Sequence, residues 1–459
     1  MGLDGDAIAT IQNYRRQAAS LLLYQSVFAS DIGKALLNLL TALVAPNETA
    51  TEGAIACSLA YGQWFAALAN LSQTHPSQNH PSQPYSSQSW QTRLINHVLT
   101  ADNAFSQQSQ RLPTQPTSEA DLAARMAPGL LAAVHHDLAI LHDFYHLPLQ
   151  QLSQWTQQRC DRVPPPVMQP ASEAKLPVTF PYELEWTQAP LALANYYFTH
   201  GAGLFGQFAA FRWQSAPTGG QLVGVSLPDP IQLDQLIAYD HPKQQLVQNT
   251  RSLLRGYRAQ NVLLYGSRGA GKSSLVKALV NEYREQGLRL VEVPKSALRS
   301  LPRIVEPLSQ APQKFIIFVD DLSFEEDDEA FKALKVVLEG GVTARPQNVV
   351  VYATSNRRHL VREFFDERPR PKDADEIQAW DTVQEKLSFS DRFGLTLTFT
   401  PADQPTYLKI VRELAAQAGL TVETEHLEWR ARQWATRHNG RSGRTARQFI
   451  DFLISEQGD

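Results

Sequence analysis

The glycine-rich segment 266–273 is the feature that most limits the folds open to this chain. It reads G-S-R-G-A-G-K-S and lies between an apolar, β-prone run at 261–265 and a stretch at 275–283 whose apolar residues recur at helical spacing. Glycines let the backbone turn tightly enough to direct N–H groups at phosphate oxygens, and the start of a helix adds a partial positive charge. This full Walker A pattern therefore predicts a strand, a loop and a helix that bind a nucleoside triphosphate.

Two side chains of this loop have roles that follow from their chemistry. Lys272 can reach the β and γ phosphates, and the Ser273 hydroxyl can ligate Mg²⁺. The residues that we expect to bind nucleotide here are Gly266, Ser267, Arg268, Gly269, Ala270, Gly271, Lys272, Ser273 and Ser274.

A second pattern, of Walker B type, follows downstream, where the apolar run 314–319 is followed by Asp320 and Asp321. A buried strand ending there would bring Asp320 to the phosphate site, where it would hold Mg²⁺ beside Ser273. Asp321 would orient or deprotonate the attacking water. The alternative, an ordinary strand that ends in an acidic turn, is disfavoured by the glycine-rich loop upstream.

Three further polar positions accompany these motifs. The apolar run 349–353 leads into Thr354 and Asn356, so we expect the Asn356 amide between the two motif-bearing strands, near the γ-phosphate. Arg392 precedes the last apolar run, and Arg444 lies where the last helix begins.

Strands and helices alternate after residue 231, which is typical of a parallel sheet with crossover helices. From Asp403 onwards the pattern is helical only, with about three helices. The predicted fold is thus α/β, a five-stranded parallel sheet of P-loop NTPase type with a C-terminal helical lid. The five strand candidates are 261–265, 288–293, 314–319, 348–353 and 395–399.

Charge divides the chain near residue 225. Residues 1–230 hold 10 basic and 15 acidic side chains, whereas residues 231–459 hold 32 and 31. The first part is rich in Gln, Ser, Ala and Leu, and its apolar residues recur mostly at helical spacing. The predicted organisation is a mostly helical region at 1–225 with low-complexity linkers at 72–91, 106–118 and 163–170, an α/β core at 226–402 and a helical lid at 403–459.

Composition favours a cytoplasmic protein without a membrane span. Two cysteines, Cys57 and Cys160, suit a reducing compartment and suggest no disulfide framework. No apolar run approaches the ~18 residues of a membrane helix. The start M-G-L-D-G-D lacks the basic and apolar parts of a secretion signal. Neither half has a strong basic excess, so nucleic-acid binding is possible but not favoured.

Three histidines, His135, His142 and His146, fall on one face of a predicted helix. A zinc or iron site is conceivable there. A polar helix face is the simpler interpretation and is favoured.

The order of the motifs in the second half resembles that of the AAA+ ATPases. The segment S-D-R-F-G at 390–394, followed by a strand, resembles the arginine-finger box of the replication-initiator and helicase-loader branch. Residues 231–456 resemble more closely an uncharacterised bacterial AAA+ family known only as a domain of unknown function. The similarity is carried by L-I-A-Y-D (236–240), N-V-L-L-Y-G-S-R-G-A-G-K-S-S (261–274), D-D-L-S-F-E-E (320–326), L-E-G-G (338–341), A-T-S-N-R-R-H-L (353–360) and S-D-R-F-G-L (390–395).

The resemblance implies ATP and Mg²⁺ as ligands and a role for each remaining site residue. Ile237 and Tyr239, in the loop 236–240, would contact adenine. Asn356 would polarise the attacking water, and Arg444 would reach the γ-phosphate from the lid, with Arg447 as the alternative. Arg392 would enter the site of a neighbouring subunit, which requires a homo-oligomer.

This chain differs from most AAA+ proteins at the second of the two acidic residues that follow the apolar run 314–319. Most AAA+ proteins carry Glu where this chain has Asp321, whose side chain is one methylene shorter. A misplacement of about 1 Å can cost on the order of 100-fold in rate. Slow hydrolysis, or the use of Glu325 or Glu326 instead, is therefore expected.

Two functions follow from these residues. The first is ATP hydrolysis coupled to the remodelling or loading of a macromolecular partner, with a protein partner bound through the N-terminal region. The alternative is a nucleotide-gated adaptor in which ATP binding switches oligomerisation or partner affinity with little hydrolysis. Asp321 favours the adaptor, whereas Arg392 and Asn356 favour the ATPase; a P-loop kinase is disfavoured by the lid arginine.

Overall fold

A computed structural model describes residues 3–46, 50–69, 90–160, 185–216, 219–322, 329–339, 346–356, 392–438 and 440–457. The chain divides into two compact units, Met1–Gln207 and Phe208–Asp459. This division lies before the boundary near residue 225 that charge predicts. The difference arises because residues 210–224 pair with strands of the second unit.

The described part of the first unit is helical. Its α-helices are Gly5–Ala19, Ser26–Ala29, Asp31–Val44, Ala50–Ala69, Trp90–Leu99, Ala104–Gln110, Glu119–Arg125, Pro128–Tyr145, Leu149–Arg159, Pro190–His200 and Gly203–Gln207, with a 3-10 turn at Trp186–Gln188. Pro128 opens one helix and Pro148 directly precedes another. Proline is tolerated at such positions because the first helical N–H groups have no intrahelical partner.

Asp137 joins two parts of this unit through a buried carboxylate. The carboxylate is fully buried and accepts hydrogen bonds from the backbone N–H groups of Leu22, Leu23 and Tyr24, at 2.7 to 3.1 Å. A buried charge is tolerated where hydrogen bonds replace its hydration. Asp137 therefore ties the turn after the first helix to the helix Pro128–Tyr145.

The polar stretch 106–118, predicted as a linker, begins inside a helix. The Asn103 side chain accepts a hydrogen bond from Ser106 N, and Ser106 Oγ accepts one from Asn103 N, which caps the helix Ala104–Gln110. Ser106, Ser109 and Gln110 are buried, so polarity alone was a misleading guide here. The predicted linker 163–170 and residues 72–89 of the first one lie outside the described residues, and Trp90 starts a helix.

The second unit contains a mixed, mostly parallel sheet. Its strands are β1 (Ala210–Gln214), β2 (Gln221–Gly224), β3 (Val262–Gly266), β4 (Leu288–Glu292), β5 (Lys314–Val319), β6 (Val349–Ser355) and β7 (Leu395–Phe399). Their order in the sheet is β2-β1-β4-β5-β6-β3-β7. The pair β1–β2 is antiparallel and all other pairs are parallel.

The sheet has seven strands among the described residues where five were predicted. β1 and β2 extend it at one edge. The aromatic-rich segment that leads into β1 forms the α-helices Pro190–His200 and Gly203–Gln207. In β1 the side chains of Phe211 and Trp213 are buried while those between and after them are exposed, which is the alternation of a strand with one buried face.

Helices flank the sheet and follow it. They are Asp240–Leu254, Lys272–Tyr283, Leu301–Gln310, Glu329–Glu339, Gln404–Gln417, Thr424–Arg437 and Gly443–Gln457, with 3-10 segments at Arg284–Gln286 and Lys295–Ser300. The last three share a small core that includes Tyr407, Val411, Ala431 and Phe449. No helix within the described ranges is long and apolar enough to cross a membrane.

The strand order places the polar motifs at one edge of the sheet. β3, which leads into the glycine-rich loop, lies between β6 and β7, and β5 pairs with β6. Since these strands are parallel, their carboxyl ends meet at the same edge. Ligands of open α/β sheets bind there, where the strand order changes direction.

Candidate nucleotide site

The glycine-rich loop leaves β3 along a backbone path that only glycine fits. Gly266 has φ 137°, and a Cβ atom there would lie 2.0 Å from the carbonyl oxygen of Phe399. Ser267 N donates to that same oxygen at 2.9 Å, so the loop starts pressed against the end of β7. The helix Lys272–Tyr283 follows directly, and its first three residues border a cavity.

Lys272 is buried beneath the loop. Its ammonium group donates to the carbonyl oxygens of Gly266 (2.9 Å) and Ser267 (2.8 Å) and to Asn356 Oδ1 (3.3 Å). Burial lowers the pKa of Lys272, and the carboxylates of Asp320 and Asp321 act in the opposite direction. Three neutral oxygen acceptors thus hold the ammonium group in place at the start of the helix.

The Asp320 carboxylate, at the end of β5, lies beside the hydroxyl groups of Ser273 and Thr354. Ser273 Oγ donates to Asp320 Oδ1 at 2.7 Å. Thr354, at the end of β6, also donates its hydroxyl to Asp320 Oδ1 and accepts a hydrogen bond from Asp321 N at 2.9 Å. A hydroxyl beside a carboxylate is the oxygen donor set that Mg²⁺ prefers.

Asp321 has a strained backbone. Its φ is 50°, in the left-handed region that Asp and Asn tolerate better than most other residues. Its Oδ1 accepts a hydrogen bond from Asn356 Nδ2 at 2.7 Å. The other non-glycine residues with positive φ in the described ranges are Ala238 and Tyr239, in the loop beside the same cavity, and such strain tends to collect at functional sites.

A cavity of about 660 Å³ joins these groups, a volume suited to a nucleotide-sized ligand. The side formed by the glycine-rich loop and the strand ends is polar, and the other end of the cavity is bordered by Leu236, Ile237 and Tyr239. The full lining is Ile231, Gln235, Leu236, Ile237, Tyr239, Arg268, Gly269, Ala270, Gly271, Lys272, Ser273, Ser274, Asp320, Asp321, Thr354, Asn356, Ile410, Leu414, Gly443, Arg444, Arg447, Gln448 and Asp451.

The loop that carries Tyr239 is fixed on the end of β7. The Tyr239 hydroxyl donates to the carbonyl oxygen of Thr400 at 2.7 Å, and its ring centroid lies 5.1 Å from that of Phe399. Burial, helped by Asp403, raises the pKa of Tyr239, so this hydroxyl is a neutral donor at ordinary pH. Ile237 and Tyr239, for which the resemblance implies contact with adenine, lie at the apolar end of the cavity.

The last helix meets the glycine-rich loop directly. Arg444 N donates to the carbonyl oxygen of Gly269 at 3.2 Å, and a Cβ atom on Gly269 would lie 2.8 Å from Ser442 Oγ. Arg444 and Arg447 both line the cavity. The final helical segment thus closes one wall of the site.

Some predicted residues are not brought to this cavity. Within the described residues, Arg392 is not among the lining and lies half-buried just before β7. Glu325 and Glu326 lie outside the described residues.

Thr354, Gln448 and Asp451 also line the cavity, and the sequence motifs did not predict them as site residues. Thr354 lies two residues before Asn356, at the end of β6. Gln448 and Asp451 follow Arg444 at helical spacing, so the 3.6-residue period could have placed them on the face that Arg444 occupies.

The histidines of the first unit have other partners. His135 Nδ1 lies 2.9 Å from the carbonyl oxygen of Thr187, and the His142 ring centroid lies 4.5 Å from that of His146. Within the described ranges, no three His, Cys, Asp or Glu side chains are arranged to hold a metal ion.

A family profile described as "Protein of unknown function (DUF815)" matches residues 206–457. The chain belongs to this family. The match begins next to the start of the second compact unit and includes every residue that lines the cavity. The chain is an AAA+ P-loop protein by this membership and by the relative described next.

A curated relative named replication factor C large subunit, from Staphylothermus marinus, is 34% identical over 121 residues. That alignment covers 24% of this chain and 28% of the relative, so the chain spans little more than a quarter of the length of the protein it matches. Among solved structures, the Thermotoga maritima RuvB Holliday junction branch migration motor is 15% identical, with a TM-score of 0.30, over 49% of this chain and 72% of that one. A point mutant of the same Thermotoga maritima RuvB aligns over the same shares with a TM-score of 0.32.

Proposed function

We propose that this protein binds and hydrolyses ATP and couples the cycle to the remodelling or loading of a macromolecular partner. The observation that carries the proposal is one cavity bordered by the glycine-rich loop, by the strand-end aspartates and by Arg444 of the last helix. Three separated parts of the chain thus contribute to one cavity: the loop contributes the Lys272 ammonium group, the end of β5 contributes two carboxylates, and the last helix contributes the Arg444 guanidinium. Phosphoryl transfer relies on this kind of positioning and charge stabilisation.

Each group has a role in that reaction. A Mg²⁺ ion held by Ser273 and Asp320 would neutralise charge on the β and γ phosphates. Lys272 would exchange its loop carbonyl partners for phosphate oxygens. Asp321 would accept the proton of the attacking water, and Asn356, already bonded to Asp321, would orient that water. Arg444 would reach the γ-phosphate from the last three helices, which would act as a lid.

The proposal includes a homo-oligomer in which Arg392 acts on a neighbouring subunit. Arg392 precedes β7 and does not line the cavity of its own chain among the described residues. A guanidinium supplied in trans stabilises the charge of the transition state in other NTPases. The helical first unit would bind the partner. The relative's name, replication factor C large subunit, is compatible with a partner that is, or binds, nucleic acid.

The second candidate is a nucleotide-gated adaptor in which ATP binding changes oligomerisation or partner affinity. The observation that favours it is the short, strained Asp321, whose carboxylate is already bonded to Asn356. If ATP left these two side chains bonded to each other, the attacking water would have to compete with Asn356 for Asp321 Oδ1. Binding would then proceed with little hydrolysis.

The test is ATP hydrolysis per subunit against protein concentration for wild type, Arg392→Ala, Lys272→Ala and a 1:1 mixture of the two variants. We expect turnover that rises with concentration, falls by on the order of 100-fold or more in each variant and partly returns in the mixture. Return occurs because the Arg392→Ala subunit keeps a complete nucleotide site and borrows an arginine from its neighbour. Turnover that is independent of concentration and absent from the mixture would overturn the trans-acting arginine.

A further inference from the structure

The only two cysteines of the chain, Cys57 and Cys160, are distant in sequence and meet in the first unit. Cys57 belongs to the helix Ala50–Ala69, and Cys160 caps the end of the helix Leu149–Arg159. Neither is in a disulfide. Their meeting was not expected, because their number and spacing suggested no disulfide framework.

The contacts around Cys160 place its sulfur beside the turn that carries Cys57. Cys160 Sγ donates to the carbonyl oxygen of Ala54 at 3.4 Å and accepts a hydrogen bond from Ser58 Oγ at 3.2 Å. Residues three and four apart share one face of a helix, so Ala54, Cys57 and Ser58 are neighbours on this turn. The sulfur of Cys160 is therefore held against the turn to which Cys57 belongs.

The contacts around Cys57 point back to the same place. Burial raises the pKa of the Cys57 thiol, and the side chains close enough to affect that pKa are Cys160, Thr156 (one turn earlier on the helix of Cys160) and Arg159. Cys57 and Ser58 of the helix Ala50–Ala69 thus face Thr156 and Cys160 at the end of the other helix. Disulfide formation requires close, facing side chains of this kind.

We propose that Cys57 and Cys160 form a reversible dithiol–disulfide site that exchanges with small-molecule disulfides such as glutathione disulfide. The site lies in the helical unit and is independent of the nucleotide chemistry. It would tie the helix Ala50–Ala69 covalently to the end of the helix Leu149–Arg159.

The two thiols react in a fixed order because they differ in access. Cys57 is fully buried, and burial together with the neighbouring Cys160 raises its pKa to about 12, whereas Cys160 is partly exposed. The Cys160 thiolate attacks one sulfur of the small disulfide, releases one thiolate and leaves a mixed disulfide. Cys57 then gives up its proton and attacks the Cys160 sulfur, which forms the Cys57–Cys160 bond and releases the second thiolate. The two protons lost by the cysteines protonate the two thiolates released.

The experiment equilibrates the full chain across a series of glutathione disulfide to glutathione ratios, followed by acid quenching, alkylation under denaturing conditions and peptide mass mapping. We expect both wild-type thiols to disappear together, with one linked Cys57–Cys160 peptide that dithiothreitol separates. Cys57→Ser should accumulate glutathione on Cys160, and Cys160→Ser should keep Cys57 free because that thiol is buried. Wild type that keeps both thiols free, accumulates glutathione on Cys160 or forms disulfides between chains would overturn the proposal.

Unfolding provides a second readout. Closing the loop between residues 57 and 160 restricts the unfolded chain, so the oxidised protein should unfold at higher urea concentration than the reduced one. The serine variants, treated identically, should show no such rise. A lower midpoint for oxidised wild type would mean that the bond strains the native helices, and would also overturn the proposal.

Discussion

Thr354 connects the two aspartates that the proposed chemistry depends on. Its side chain is buried, donates to Asp320 and accepts a hydrogen bond from Asp321 N. Thr354→Val keeps the shape and removes the hydroxyl, so Asp320 and Asp321 lose their common support. We expect hydrolysis to fall roughly 10- to 100-fold while ATP affinity changes little, because small displacements of reacting groups cost rate. Steady-state hydrolysis and equilibrium binding of a fluorescent ATP analogue separate the two quantities.

Thr250→Val is the matched control for that substitution. Thr250 is also buried, bonds to the carbonyl oxygen of Leu246 at 2.9 Å and to the Tyr352 hydroxyl at 3.0 Å, and is not part of the cavity lining. Each variant should lose about 1 to 2 kcal/mol of unfolding free energy with its hydroxyl. Equal turnover in the two variants would show that Thr354 does not support the aspartates.

Replacing Asp321 tests whether side-chain length or backbone conformation limits turnover at this site. Glu is the more usual AAA+ residue at this position, but Asp321 has φ 50°. Left-handed backbone costs roughly 1 to 2 kcal/mol for most side chains and less for Asp and Asn. Asp321→Glu should therefore lower both the thermal midpoint and the turnover. Faster turnover for the Glu variant, measured at saturating ATP, would show that side-chain length rather than backbone conformation limits this site.

The glycine-rich loop depends on its contact with the end of β7. Gly266→Ala would place a carbon 2.0 Å from the carbonyl oxygen of Phe399, whereas a Cβ at Gly256 would meet nothing within 4 Å. Both glycines have positive φ, so Gly256→Ala controls for backbone strain alone. We expect about 1 kcal/mol of destabilisation for Gly256→Ala and several kcal/mol, with loss of ATP binding, for Gly266→Ala. Urea unfolding with similar midpoints for both would contradict the contact with β7.

The last helix contributes two arginines, and substitution distinguishes them. The resemblance implies that Arg444, whose backbone N bonds to Gly269, reaches the γ-phosphate, and Arg447 also lines the cavity. Arg444→Ala should lower turnover roughly 10- to 100-fold, more than Arg447→Ala. Arg432→Ala is the control, because its Nε bonds to Glu428 O of its own helix and the residue lies outside the cavity lining. A larger loss for Arg447→Ala would transfer the role to that residue.

The elements that the sequence predicted well are those encoded locally. β3, β5 and β6 are continuous apolar runs, and each ends at a motif whose residue types are tied to its chemistry. β1 and β2 are short, and they become strands by pairing with each other and with β4, far along the chain. Their pairing depends on long-range contacts that no local period reveals.

At the scale of the whole molecule, the other features that the sequence did not predict depend on long-range contacts or on backbone conformation. Cys57 and Cys160 are far apart in sequence, and only the packing of two helices brings them together. The left-handed backbone of Ala238 and Asp321 depends on the surrounding structure and not on residue type alone. The sequence alone thus predicts the motif residues, whereas the left-handed backbone of Asp321 and the Thr354 hydroxyl beside it are seen only in the fold.

The most direct test of the account is single-turnover hydrolysis, with the protein in excess over radiolabelled ATP and Mg²⁺, for wild type and Asp321→Asn. Asn also tolerates the left-handed backbone, so the variant should fold and bind ATP as wild type does. We predict that wild type converts bound ATP to ADP and phosphate, and that Asp321→Asn does so at least about 100-fold more slowly. Wild type that binds ATP tightly and leaves it intact would contradict the ATPase and support the nucleotide-gated adaptor.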